Sequence, residues 1–221
     1  MSAVAAAEAT VLDGVIETPG PGGAVERARF RQGVLHGHWQ QFRPDRTLAR
    51  EMHFLDGKLH GPLVEYDAAG RVEARQHYVA GVLNGPAALF AEGVPAAEMI
   101  YAGGVLHGPL HSYDSLGRRA ATALYAEGKL HGPTTVFRAD GTIAKVMNFQ
   151  SGRLDGDSVE YYESGAVRRR ACYKQGKLDG LTTEYDPAGV VAKVTHYAED
   201  KKLDHEEPQK RGWLARLAGG S

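Results

Sequence analysis

Gly57-Lys58-Leu59-His60-Gly61-Pro62-Leu63-Val64-Glu65-Tyr66-Asp67-Ala68-Ala69-Gly70 decides the fold, because its opening phrase returns along almost the whole chain. The phrase Gly-x-Leu-(His/Asn/Asp)-Gly starts at Gly33, Gly57, Gly81, Gly104, Gly128, Gly152 and Gly176, a spacing of 24 residues and once 23. A worn copy, Thr10-Val11-Leu12-Asp13-Gly14, precedes them, and Lys201-Lys202-Leu203-Asp204 follows. A fixed period of this length marks one small unit stacked on itself. It also shifts the functional expectation from a catalytic pocket to an extended surface.

Within a unit the phrase is a turn, Leu63 to Tyr66 is a short alternating run, and Asp67-Ala68-Ala69-Gly70 is a second turn. Asp accepts hydrogen bonds from nearby backbone and Gly takes positive φ freely. A longer run, Arg71 to Tyr78, completes the unit. Two strand-length runs between two glycine turns make a β-hairpin, and hairpins joined by the same device make a meander. The expected fold is all-β: an elongated solenoid or meander of stacked antiparallel hairpins, each unit advancing about 10 Å. Residues 1–9 read as an N-terminal extension and 10–203 as the array. Residues 204–221 read as a tail whose Lys210 to Ala218 stretch has a short helical pattern.

Two aromatic rows repeat. Phe42, Tyr66, Phe90, Tyr113, Phe137, Tyr161 and Tyr185 stand nine residues after each opening glycine. Phe30, Phe54, Tyr78, Tyr101, Tyr125, Phe149, Tyr173 and Tyr197 stand three before one, or before its worn copy. The leucines of the phrase form a third row. Equivalent residues of stacked hairpins face the same way, so the rows are expected to form ladders that bury one another. The His/Asn/Asp position is expected to tolerate left-handed backbone. Pro62, Pro86, Pro109 and Pro133 are expected where a strand begins.

The chain has 221 residues, 28 of them glycine, a hydrophobic share of 43% and a formal net charge of −1. That share suits a thin array with one narrow buried layer. The near-neutral charge gives no pull toward nucleic acid. The single cysteine, Cys172, allows no intrachain disulfide and reads as an ordinary strand residue of a reducing compartment. No segment approaches the roughly 18 apolar residues of a membrane span, and the first residues lack a basic leader. A cytoplasmic chain is expected, or a periplasmic one if it is a processed form.

Gly-Lys-Leu-His-Gly-Pro, then an aromatic, a glycine turn and a second aromatic before the next Gly, resembles the MORN repeat. The resemblance is to the bacterial variant found in antitoxin-like proteins, over residues 10 to 203. Lys58 to Pro62, Lys129 to Pro133 and Lys177 to Gly180 carry it best. Thr10 and Asp200 replace the opening glycine at the ends, where arrays need caps. The resemblance implies a binding and scaffolding module. It points to an antitoxin or immunity protein that binds a cognate bacterial toxin, with a membrane- or lipid-associated scaffold as the alternative.

The residues themselves hold little chemistry. The histidines His36, His60, His107 and His131 repeat about 10 Å apart and cannot converge on the ~2.1 Å shell of one zinc ion. No nucleophile elbow, phosphate loop or His-Glu-x-x-His is present. Glu160 and Glu184 occupy one repeat position about two strand spacings apart, roughly 10 Å. No catalytic residue, metal or cofactor is expected. The candidate partner-binding residues are His36, His60, His107, His131, Arg168, Arg169, Arg170 and Trp213, since rigid rings and guanidinium groups make efficient anchors. Trp213 and the basic residues beside it suit a cap, a docking peptide or a weak lipid contact. Sheet edges left open at the two ends suit a monomer or a weak homodimer.

Overall fold

Each opening glycine is the second residue of a two-residue turn. Gln32 and Gly33 have φ of 51° and 78°, Asp56 and Gly57 48° and 78°, and Ala80 and Gly81 51° and 87°. Positive φ at both residues is the mirror-image turn whose twist matches flanking strands. The computed structural model describes residues 12–203.

The strands are β1 Gly14–Pro19, β2 Val25–Arg31, β3 Val34–Phe42, β4 Leu48–Leu55, β5 Lys58–Tyr66, β6 Val72–Val79, β7 Val82–Ala91, β8 Val94–Ala102 and β9 Val105–Tyr113. They continue as β10 Arg119–Ala126, β11 Lys129–Phe137, β12 Ile143–Gln150, β13 Arg153–Tyr161, β14 Val167–Lys174, β15 Lys177–Tyr185, β16 Val191–Ala198 and β17 Lys201–Leu203. Every strand pairs antiparallel with its predecessor, so one open meander of 17 strands results. A single 3₁₀ turn, Pro21–Gly23, is the helical element of the described residues. The expected extension, tail helix and Trp213 lie outside them.

The repeat phrase does more than turn. Leu59 stands opposite Phe54 and Leu63 opposite Met52, so His60-Gly61-Pro62 together face His53 alone. The same bulge recurs in every second strand pair. Bulges of this kind bend a strand and raise its twist. Gly61 sits at the bulge with φ of 96° and Gly180 with 112°. This corrects two expectations. The His/Asn/Asp residue is extended strand, and left-handed backbone falls on the residue before the opening glycine and on the glycines themselves. The prolines lie mid-strand beside the bulge, where a missing N–H breaks no ladder bond.

The bulge frees a carbonyl for the next unit. The Gly57 N–H donates to Leu35 O, Gly81 to Leu59, Gly104 to Leu83, Gly128 to Leu106, Gly152 to Leu130 and Gly176 to Leu154, all at 2.7–2.9 Å. Gly33 donates to Leu12 O, and Asp200, φ 68°, donates to Leu178 O, so the worn copies keep the device. The spacing of 23 also has a cause. β7 and β8 are joined by the two-residue turn Glu92-Gly93, so Phe90 faces Pro95, whereas Tyr66 faces Val72 across a five-residue loop.

The two faces of the sheet differ. One carries a continuous spine in which each residue stands directly opposite the next: Ala28, Trp39, Met52, Leu63, Gln76, Ala87, Met99, Leu110, Ala123, Thr134, Met147, Ser158, Ala171, Thr182 and Thr195. Eight of the nine buried residues among those described belong to it, Ala74 being the other. Beside the spine runs the ladder of leucines and of aromatics preceding each turn. Tyr78, for example, lies between Gly61 and Leu83. The other aromatic row, Tyr66 and its equivalents, has opposite strand parity and lies on the reverse face. The rows therefore do not bury each other, and all their rings are half-buried. Each half-buried ring still removes about 100 Å² from water, roughly 2–3 kcal/mol per ring.

The bulge glycines give a ranked test. A Cβ on Gly180 would sit 3.1 Å from the Cβ of Cys172, and one on Gly61 3.7 Å from that of His53. Both would also hold a non-glycine residue at positive φ, a strain of about 1–3 kcal/mol. Urea unfolding should show both Gly180→Ala and Gly61→Ala destabilised, Gly180→Ala the more. No loss in either variant would argue against the bulge as the structural constraint, and equal loss against the closer approach at Gly180.

Candidate binding surface

The spine face is flanked on its other side by a charged row. Arg50 lies 2.7 Å from Glu65, Lys145 3.2 Å from Glu160, Arg169 3.7 Å from Glu160 and Lys193 3.9 Å from Glu184. Arg169 stands directly opposite both Glu160 and Glu184, which removes any sense of those acids as a converging pair. These half-exposed pairs contribute little each. They alternate in sign across strands, as favourable cross-strand partners do.

The turn edge places the four candidate histidines. His36 Nδ1 is 3.1 Å from Asp56 Oδ1, a residue of the next turn. His60 Nδ1 accepts from the Ala80 N–H at 3.4 Å. Asn84 Oδ1 accepts from Gly103 N–H at 2.9 Å and Asp155 Oδ2 from Gln175 N–H at 3.0 Å. His36 donates to the Asp56 carboxylate while His60, Asn84 and Asp155 accept backbone N–H groups, so the position favours short polar side chains that reach the following turn. His107 and His131 are exposed at the same position. Arg168, Arg169 and Arg170 are consecutive strand residues and so alternate faces. Arg170 lies 3.8 Å from Asp157 Oδ2, and Arg168 lines a hollow at the loop edge with Tyr162 and Pro187. The sheet brings neither the four histidines nor the three arginines to one point. Among the described residues no His, Cys, Asp or Glu cluster could hold a metal.

The reverse face has a regularity that the sequence reading missed. Arg27 lies over the Phe42 ring at 5.4 Å and Arg75 over Phe90 at 5.7 Å. Tyr66 OH donates to Glu51 Oε1 at 2.7 Å and Tyr113 OH to Glu98 Oε2 at 2.5 Å. In these four units the partner stands 15 residues upstream, arginine for phenylalanine and glutamate for tyrosine. Thr122, Val146 and Arg170 hold that position before Phe137, Tyr161 and Tyr185, where the pattern ends. A ring face attracts a cation, and a phenol donates to a carboxylate. Partial burial and the Glu51 bond push the Tyr66 hydroxyl up to about 12. Cys172 Sγ donates to Asp157 Oδ1 at 3.1 Å, and that bond, with burial, raises its thiol pKa. The cysteine is therefore not activated.

Between these rings and the proline row lies a groove of about 440 Å³, lined among others by Pro62, Pro86, Pro109, Ala88, Ile100 and His111. A second hollow of about 740 Å³ near β1 takes in Arg29, Arg31, His36 and His53. The far edge is closed by loops. Arg43 donates to Leu48 O at 2.8 Å and to Tyr66 O, Arg138 to Ile143 O at 2.6 Å and to Tyr161 O, and Tyr162 OH to Tyr185 O at 2.7 Å. Both edges are therefore bolted to the next unit, which makes the faces rigid platforms.

A model of the MORN repeat variant matches residues 154–175. The matched stretch covers β13 and β14, one hairpin of the array, and supports placing the chain with MORN-repeat proteins. Its turn bond and bulge recur in the other units, so the matched hairpin is built like its neighbours in the sheet. MORN repeats in general are not enzymes and act as binding scaffolds. No curated protein matches the sequence. Among solved structures, one likeness is to a mutant of S. aureus TarM in complex with Fondaparinux, alpha-GlcNAc-glycerol and UDP. It has 8% identity and a TM-score of 0.20, and covers 75% of this chain. The chain spans about a fifth of that protein, 21% of its length, and the likeness carries no argument.

The loops predict a pH dependence. Asp67 and Asp114 are held below the ordinary carboxylate range first by the Arg71 and Arg118 backbone N–H groups respectively, Asp45 and Asp140 by the Thr47 and Thr142 hydroxyls. A folded pKa below the unfolded one gives stability that is full above about pH 4 and lost as pH falls through the folded values. The thermal midpoint should therefore fall on acidification below about pH 4. In an Asp67→Asn/Asp114→Asn variant that acid limb should be shallower. An identical limb in the variant would count against these loops.

Proposed function

We propose that this chain is a non-catalytic binding protein whose array holds a macromolecular partner, and that the partner is a bacterial toxin or effector which it neutralises. The supporting observation is the reverse face. It is a rigid sheet on which rings, guanidinium groups and carboxylates are already fixed, around an apolar groove. Ordered aromatic and arginine side chains lose little entropy on binding and dominate interface energies. The spine face offers less, since its charges are matched and its buried residues are, apart from Leu63, small. The antitoxin element rests on the resemblance of the repeat phrase, and a cytoplasmic site of action goes with it.

The test is co-expression with the protein encoded beside this chain. The expected outcome is relief of that protein's toxicity and co-purification at fixed stoichiometry. Toxicity unchanged and no complex would sink the antitoxin reading. Flotation of the intact chain with anionic vesicles, lost when 213–217 is deleted, would favour the membrane scaffold.

A further inference from the structure

The groove on the reverse face is the place where the array departs from its own repeat. Its floor is Ala88, directly opposite Arg75 on one neighbouring strand and Glu98 on the other. The same position holds Gln40, Val64, His111, Thr135, Val159 and Thr183 in the remaining units, all larger. The hollow therefore exists because one side chain in the row is a single methyl group. One wall is Pro62, Pro86 and Pro109 on β5, β7 and β9. Alternate strands put these prolines about 9.6 Å apart, and the groove runs about 19 Å across the strands.

We propose that this groove holds an extended polyproline-II segment of the protein partner, apolar at every third residue, with an acidic and a basic side chain one turn apart. The inference rests on the binding reading above and names its surface. Polyproline-II advances about 9.3 Å in three residues, so two turns stay within about 0.6 Å of the proline spacing. An α-helix returns to one face after seven residues, about 10.5 Å, and slips almost 2 Å over the same two steps. About six residues of the segment fit the groove length. The backbone of strands β5 to β9 is occupied by the sheet ladder, so the occupant must be one whose own backbone is satisfied by water, as polyproline-II is.

Charge fixes the segment further. Arg75 and Glu98 make no ion pair among the described residues. The first lies over Phe90 and the second accepts from Tyr113. They flank Ala88 about 9.6 Å apart, one turn of the ligand. An acidic residue over Arg75 and a basic residue three positions away over Glu98 complement them. On the strand after Glu98, His111 Nδ1 is buried without a hydrogen-bond partner among the described residues and borders the groove.

The probe is a library of random peptides of about twelve residues, selected on the full-length chain. Enriched sequences should show apolar or proline residues at a three-residue period, with acid and base one period apart. Fluorescence anisotropy of the consensus peptide should weaken by about tenfold or more in Ala88→Trp, which fills the floor. Thr183→Trp, the same position in another unit, should bind as the parent does. Glu98→Lys should weaken the consensus and prefer the peptide with its basic residue exchanged for glutamate. This exposed variant decides the matter if circular dichroism shows Ala88→Trp misfolded. No enrichment, no three-residue period, or equal binding by Ala88→Trp and Glu98→Lys overturns the proposal. So does finding that Ala88→Trp abolishes vesicle binding or self-association instead. If Ala88→Trp still captures and neutralises a co-expressed partner, the groove inference fails while the binding function stands. If the parent captures none, the function fails whatever the peptides do.

Discussion

The hydrogen bond from each opening glycine N–H to the leucine carbonyl of the unit before is the contact on which the array depends. A strand pair normally uses its carbonyls within the ladder. Here the bulge at His-Gly-Pro takes three residues out of register and leaves a leucine carbonyl to accept from the next turn. The bond is possible only because the turn is two residues long with positive φ at both, and because the bulge glycine adopts φ near 100°. Turn, bulge and stacking are one constraint seen at three positions, which is why the phrase Gly-x-Leu-x-Gly is kept intact seven times while the strands between vary.

That constraint explains how a sheet with so little core is held. Among the described residues nine are buried and no large side chain is wholly so. A single layer cannot sequester a leucine from water on both sides. The units instead divide the work between the narrow spine, whose buried residues are mostly alanine, threonine and serine, and half-buried ladders on either face. The two edges add brackets between units: His60 or Asp155 at the turns, Arg43, Arg138 or Tyr162 at the loops. Nearest-neighbour contacts of this kind make stability a sum over units. They also leave the side chains of the reverse face in positions set by their cross-strand partners.

The architecture was legible because its cause is local. A glycine at a fixed interval, followed by Leu and Gly, announces a turn wherever it occurs, and its period counts the strands. The loops were legible for the same reason, since Asp67 and Gly70 close a turn within five residues. The pairing of Phe with Arg and Tyr with Glu 15 residues upstream in four of the units was also present in the chain, although it becomes meaningful only once β2 to β9 are known to place those positions on one face.

What the amino-acid order determined by itself was the all-β repeat, the number of units and the positions of the turns, because each follows from backbone preferences within a few residues. Tertiary structure decided the rest. It put the two aromatic rows on opposite faces, since parity along a strand and the register of the bulge set sidedness together. It made His36 and His60 brackets between turns, since their partners lie 20 residues away. It separated Arg168, Arg169 and Arg170, which are adjacent in the chain and alternate across the sheet. It also turned one alanine at position 88 into the floor of a groove, because a small residue becomes a hollow only when larger neighbours stand beside it on other strands.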